Sequence, residues 1–169
     1  RLLFKYSKCI LMMSATVLDV NVMCRSLGID RKDVAAYRVK NHFPKENRPI
    51  KIIPVAKMTG GKSRMDEWGP LLVAAVNKIV RNHKGEKGII HTHNFAIMDY
   101  LLRRCDPDVK KRLSHQRSFK DKKEMLEAHA LSTSDPVLIA PAMHEGIDLA
   151  DDLSRFQIIC KVPYANCFD

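Results

Sequence analysis

Four short stretches carry residue types that can do chemistry. AKMTGGKS, Ala56 to Ser63, fits the loose phosphate-loop pattern: an alanine or glycine, four free positions, then Gly-Lys-Ser. In a working loop of that kind, backbone N–H groups and Lys62 would cradle phosphates and Ser63 would hold a magnesium ion. Thr92-His93-Asn94 closes an apolar run just ahead of a helix-like one, where oriented N–H groups and a hydroxyl suit a phosphate. The plain alternative is an asparagine cap. HEGIDL, His144 to Leu149, sets Gly146, which permits a tight turn, two residues before Asp148. That carboxylate can accept from a ribose hydroxyl or pair with an arginine, or simply cap the next turn of the chain. Ser14-Ala15-Thr16 ends another apolar run, and its hydroxyls both donate and accept, as a turn cap or a switching relay requires. His91 and His93 share one face of a strand, but without a third ligand nearby they read as ordinary polar residues.

The elements that must position these residues alternate between two patterns. CILMMSATV, PIKIIPV, KGIIHTH, PVLIAP and FQIICKVPY read as strands. Their near-continuous hydrophobicity predicts burial on both faces, the mark of a parallel sheet. Between them, Asn94 is placed to cap a helix with the apolar stripe Ile97, Met98, Leu101, Leu102 and Cys105. Ser118 with Asp121 gives a capping-box-like start to a second helix carrying Met125 and Leu126. Pro70 suits the first turn of a third, with Leu72, Ala75, Val76 and Ile79 inward. This alternation predicts an α/β fold with an open, mainly parallel sheet and helices on both faces, joined by right-handed crossovers. Ligands of such sheets bind at the carboxyl ends of the strands, and each of the four stretches falls at or after the end of a strand candidate.

The phosphate-loop match fits this frame poorly. Its helix must begin at the Lys-Ser, yet Gly69 and Pro70 follow about two turns later, and a proline inside a helix costs about 3 kcal/mol. No strand candidate ends in the aspartate that would hold magnesium. We therefore expect a surface loop at 56–63 and a helix starting near Pro70.

Net charge is +10 over 169 residues, with 46% hydrophobic and 28% charged positions, the balance of a globular domain. No apolar run approaches the roughly 20 residues that span a bilayer, so no membrane partner is expected. From Arg103 to Lys123 the chain is dominated by arginine and lysine, either a solvated helical face or the footprint of a polyanion. Five cysteines, odd in number and lacking any C-x-x-C pair, fit a reducing, intracellular setting, cytoplasmic or nuclear. The chain opens on Arg1 in mid-pattern, so we expect a piece of something longer.

Taken in order, LMMSATVLD, GIIHTHN and VLIAPAMHEGIDL…FQIICKVPY resemble motifs III, IV and V of superfamily 2 DNA helicases, with the XPD/DinG group the nearest in pattern. The resemblance spans nearly the whole chain, and order and spacing give it its specificity. It implies a RecA-like fold: residues 1–20 the tail of the first motor domain, 21–48 a connecting segment, 49–169 the second domain, stopping before motif VI. It further implies that Ser14 and Thr16 couple the ATP site to DNA movement. Thr92, His93, Asn94 and His144 would contact nucleic acid, and Glu145, Gly146 and Asp148 would contact ATP. Met143-His144 departs from the aromatic pair frequent in the group. The implied partners are single-stranded DNA or a DNA junction and the first RecA-like domain of the same polypeptide, in a monomer. ATP and Mg2+ would be used by the full enzyme, while Walker A, Walker B and any iron–sulfur cysteines would precede Arg1. The fragment alone is expected to be inactive as an ATPase. Two other readings stay open: a non-catalytic basic α/β domain that holds nucleic acid, and an independent nucleotide-binding enzyme using Lys62 and Ser63.

Overall fold

The computed structural model describes residues 3–14, 19–40, 44–47, 49–58, 64–141, 143 and 147–162, with backbone alone at residues 3 and 4. The chain divides into two compact units, Arg1–Lys51 and Ile52–Asp169. In the first, helix α1 (Val20–Leu27) begins where the Asp19 carboxylate accepts from the N–H groups of Asn21 at 2.7 Å and Val22 at 3.2 Å. It ends at Gly28, whose φ of +67° is left-handed and favours glycine. Among the described residues of this unit Cys24 alone is buried.

Two of the expected strands are not found. Residues 9–14 of CILMMSATV carry no strand, and Leu11 is 82% exposed. A strand exists only where a neighbour takes its N–H and C=O groups, and none pairs with this run among the described residues. PIKIIPV is likewise irregular, with Ile52 90% exposed. Pro49 and Pro54 withhold a donor at each end of that run, which hydrophobicity alone does not reveal.

The second unit holds a sheet of β1 (Gly88–His91), β2 (Leu113–His115), β3 (Val137–Ala140) and β4 (Phe156–Ile159), in the order β2-β3-β1-β4. All three pairings are parallel, with Ile90 opposite Ile139 on one side and Ile158 on the other. Parallel neighbours need crossovers, supplied by α3 (Phe95–Arg104) with α4 (Pro107–Lys110) and by α5 (Lys122–Leu131). Alternate residues of the central strands feed two layers. Ile90, Val137, Ile139, Phe156 and Ile158 pack with α3, α4 and α2 (Met65–Asn82); Ile89, Leu138 and Ala140 pack with Met125 of α5. Helices thus cover both faces of a mixed α/β, parallel sheet, as expected. Short, polar β2 lies at the edge and gave no apolar signal.

Helix α2 corrects the expectation at Pro70. It begins at Met65 and runs through the proline. Pro70 faces solvent, as does Asp66, the residue whose carbonyl it leaves unpaired, so water can serve that group. Gly69 marks a close approach and not a break: a Cβ there would lie 2.5 Å from the Tyr100 ring of α3. The start of α5 also shifts. Asp121 itself is the cap, accepting from the Glu124 N–H at 2.8 Å, while Glu124 accepts from the Lys120 N–H at 2.7 Å. Ser118 is instead in contact with His115, its Oγ 3.1 Å from Nε2.

Candidate nucleic-acid interface

The turn between β1 and α3 lies at the carboxyl end of the sheet. Thr92 extends the ladder by one step, its N–H donating to the Ala140 carbonyl at 3.1 Å, and the Cys160 N–H donates to the His91 carbonyl at 3.0 Å. The Thr92 side chain is fully buried and its hydroxyl donates to the Asn94 carbonyl at 3.2 Å. His93 then takes φ of +68°, the left-handed region that a side chain bearing Cβ enters at a cost. Asn94, exposed, caps α3 by accepting from the Ile97 N–H at 2.9 Å. That cap takes the Ile97 N–H and leaves those of Phe95 and Ala96 at the start of a ten-residue helix whose dipole favours an anion there.

Two residues that the sequence had not marked for this place complete the rim. Phe95, the first residue of α3, is 45% exposed, and the Arg117 guanidinium lies 4.7 Å from its ring centroid. Arg117 follows β2 and also donates to Asp99 of α3 at 2.8 Å. Phe95 was legible in principle, since it is a large aromatic set to the side of the apolar stripe that begins at Ile97. Arg117 was visible only as one charge in a long run. That run does not form one face. Because α3 and α4 carry the chain back across the sheet, Arg103, Arg104, Lys110 and Lys111 lie toward the amino ends of the strands, whereas Arg117 and Lys120 follow the carboxyl end of β2.

Arg112, between these groups, is structural. It donates to the carbonyls of Val80 (2.6 Å), His83 (3.0 Å), Glu86 (2.8 Å) and Asp135 (2.9 Å), and pairs with the Asp135 carboxylate at 3.0 Å. Lys87 closes α5 in the same way on the carbonyls of His129 and Ala130. These two charges are spent on helix ends, where the carbonyls favour cations.

Of the remaining sequence candidates, Asp148 and Ser14 are among the described residues. Asp148 is exposed on the connection after β3, between Ile147 and Leu149, which turn inward onto the α5 layer. Ser14 is exposed in the first unit. Thr16, His144, Glu145 and Gly146 lie outside the described residues, as do Lys62 and Ser63. The objection that Pro70 raised to the phosphate-loop reading falls, since α2 runs through it, but that reading loses the strand that must precede the loop, since 50–58 forms none. Among the described residues no group of three or more His, Cys, Asp or Glu is placed to hold a metal ion. The Cys160 thiol after β4 is pushed up to about 12 by burial, so it stays protonated and unreactive. The rim offers anion-binding N–H groups, an exposed ring and a guanidinium, a set suited to binding and not to bond-breaking.

No curated protein and no solved structure matches the chain. The helicase C-terminal domain family, however, matches residues 76–169, more than half of the sequence, from the middle of α2 through every strand of the sheet. With its parallel sheet flanked by helices, the chain belongs to the helicase C-terminal domain family, a RecA-like part of nucleic-acid-associated, ATP-dependent machinery.

Proposed function

We propose that this chain is the second motor lobe of an ATP-dependent DNA helicase of the XPD/DinG type, the lobe that grips the single-strand backbone and completes the ATP site. Residues 49–169 form that lobe, 1–20 the end of the first motor domain and 21–48 the link between them. The observation that carries the reading is the turn after β1: a buried threonine and a left-handed His93 hold the exposed, Asn94-capped start of α3 at the carboxyl end of a parallel sheet. A phosphate seated there meets oriented N–H groups irrespective of base sequence, as a translocating motor needs. In this reading Thr92 positions the turn, His93 and Asn94 face the nucleic acid, and His144 is a further contact that the resemblance alone implies.

ATP with Mg2+ would supply the free energy to step against duplex stacking of about 1.4 kcal/mol per base-pair step. The chain's own contribution to that site is Asp148, whose exposed carboxylate can accept from a ribose hydroxyl or hold an arginine of the facing lobe, joined in this reading by Glu145 and Gly146, which precede it in sequence. Ser14 and Thr16 would pass the state of that site to the DNA grip.

Anisotropy of a fluorescein-labelled single-stranded oligonucleotide tests the grip. Asn94→Ala and His93→Gly should each weaken binding by about tenfold, the scale of a lost hydrogen bond to a charged group or of a misplaced turn. His93→Gly should meanwhile be no less stable than the parent, because glycine relieves the left-handed strain. Unchanged affinity in both variants would remove the turn from the interface. Sustained ATP hydrolysis by the 169-residue chain alone would contradict the division of labour between lobes.

A further inference from the structure

Phe95 has no role in the fold that explains its exposure. It opens α3 beside an apolar stripe that Ile97, Met98 and Leu101 fill without it, all three buried. Its ring is nevertheless held in place, with the Arg117 guanidinium 4.7 Å from the centroid and that guanidinium fixed by Asp99 at 2.8 Å. The pair joins two crossovers, the start of α3 and the turn after β2, at the end of the sheet where ligands of this architecture bind. One N–H of Arg117 is committed to Asp99; a guanidinium has five, so donors remain for an anion.

We infer that Phe95 and Arg117 form a stacking platform for one unpaired nucleobase of the strand whose phosphate lies at the Asn94-capped turn. This rests on the proposed single-strand grip and adds to it a contact with a base. A flat apolar ring, half open to solvent beside a delocalised cation, suits a base π-face, and any of the four bases can occupy it because no edge is read. The platform sits next to the phosphate site in sequence, Asn94 preceding Phe95, so a phosphate and its attached base can be held together. Stacking of this kind requires a base free of its duplex partner and neighbours, so the platform selects single strands over duplexes without choosing a sequence.

Oligothymidylate and an abasic strand of equal length and charge separate the two layers of the proposal. Both labelled strands are titrated with the 169-residue chain and with Phe95→Ala, Phe95→Trp and Arg117→Lys. The parent should prefer oligothymidylate to the abasic strand by about tenfold, the range found when one stacked aromatic is lost. Phe95→Ala should abolish that preference while leaving abasic binding and its salt dependence unchanged. Phe95→Trp should keep it, and Arg117→Lys should reduce it although charge is conserved. Circular dichroism of each variant checks that the half-exposed position has not disturbed the fold. If the parent binds both strands equally, or if Phe95→Ala weakens both alike, the platform is wrong while the backbone grip at Asn94 survives. Binding of neither strand would remove both.

Discussion

At the scale of single residues, the described structure shows polar groups assigned to jobs that their chemistry alone does not announce. Thr92 reads from sequence as a phosphate contact, but its hydroxyl is enclosed and works inside the turn. Arg112 reads as part of a polyanion site and is instead a clamp on three segments. His129 is the clearest case with a measurable consequence. It is buried on α5, its Nε2–H donates to the Leu153 carbonyl at 2.7 Å, and its buried Nδ1 has no hydrogen-bond partner among the described residues. Burial is the main cause that holds its pKa below the ordinary value of 6.5, and Lys87 adds to it against the opposing pull of the Leu153 bond. The folded state therefore takes up a proton less readily than the unfolded one, so the unfolded state binds more protons below about pH 6.5. Stability from this group is complete above that pH and declines as pH falls, until the folded pKa is reached. His129→Gln, which keeps a donor for Leu153, should flatten the fall in urea midpoint as pH drops below about 6.5. An identical pH profile in the variant would show that other groups control the acid limb.

Among the elements, legibility tracked how much of the determining physics is local. β1, β3 and β4 were readable because burial on a parallel sheet leaves an apolar run, and α3 because its cap and stripe lie within one segment. CILMM and PIKII have the same local look but no partner edge among the described residues, and a strand is not a local object. β2 was missed for the opposite reason: three half-buried residues at an edge need no apolar run. The reading of Gly69-Pro70 as a break with a helix starting only near Pro70 failed because both residues answer to position in the helix, one against Tyr100 and one toward water. That placement makes Pro70 a cost that the helix bears without a packing gain. Pro70→Ala returns an N–H to the Asp66 carbonyl on an exposed face and should stabilise the chain by about 1 kcal/mol, less than the full proline penalty because water already serves that carbonyl. Thermal unfolding checks it; a lower midpoint for Pro70→Ala would mean that the ring packs or pre-orders the first turns of α2.

For the whole molecule, the 29 lysines and arginines behind the net charge of +10 overstate the cations free to meet a polyanion. Arg81 pairs with Asp106 at 2.6 Å and Asp108 at 2.7 Å, and the Asp108 carboxyl is held down at about 2, chiefly by that guanidinium. Arg64 pairs with Glu67 and Arg155 with Asp152, while Arg112 and Lys87 are committed to helix ends. The charge of the 103–123 run is divided by the crossovers between the two ends of the sheet, and among the described residues the exposed turn, ring and guanidinium lie at the carboxyl end. If the grip is local to that end, charge should matter by place and not by amount. Counterion release offers the measure, since each phosphate contact contributes about one to the slope of log affinity against log salt. Arg117→Gln with Lys120→Gln should lower that slope by about two for a single-stranded oligonucleotide. Arg103→Gln with Arg104→Gln, an equal change in charge toward the amino ends, should leave it close to the parent value. Equal losses from both pairs would describe a molecule that attracts nucleic acid over its whole basic surface, and the carboxyl-end rim would then have no special claim as the interface.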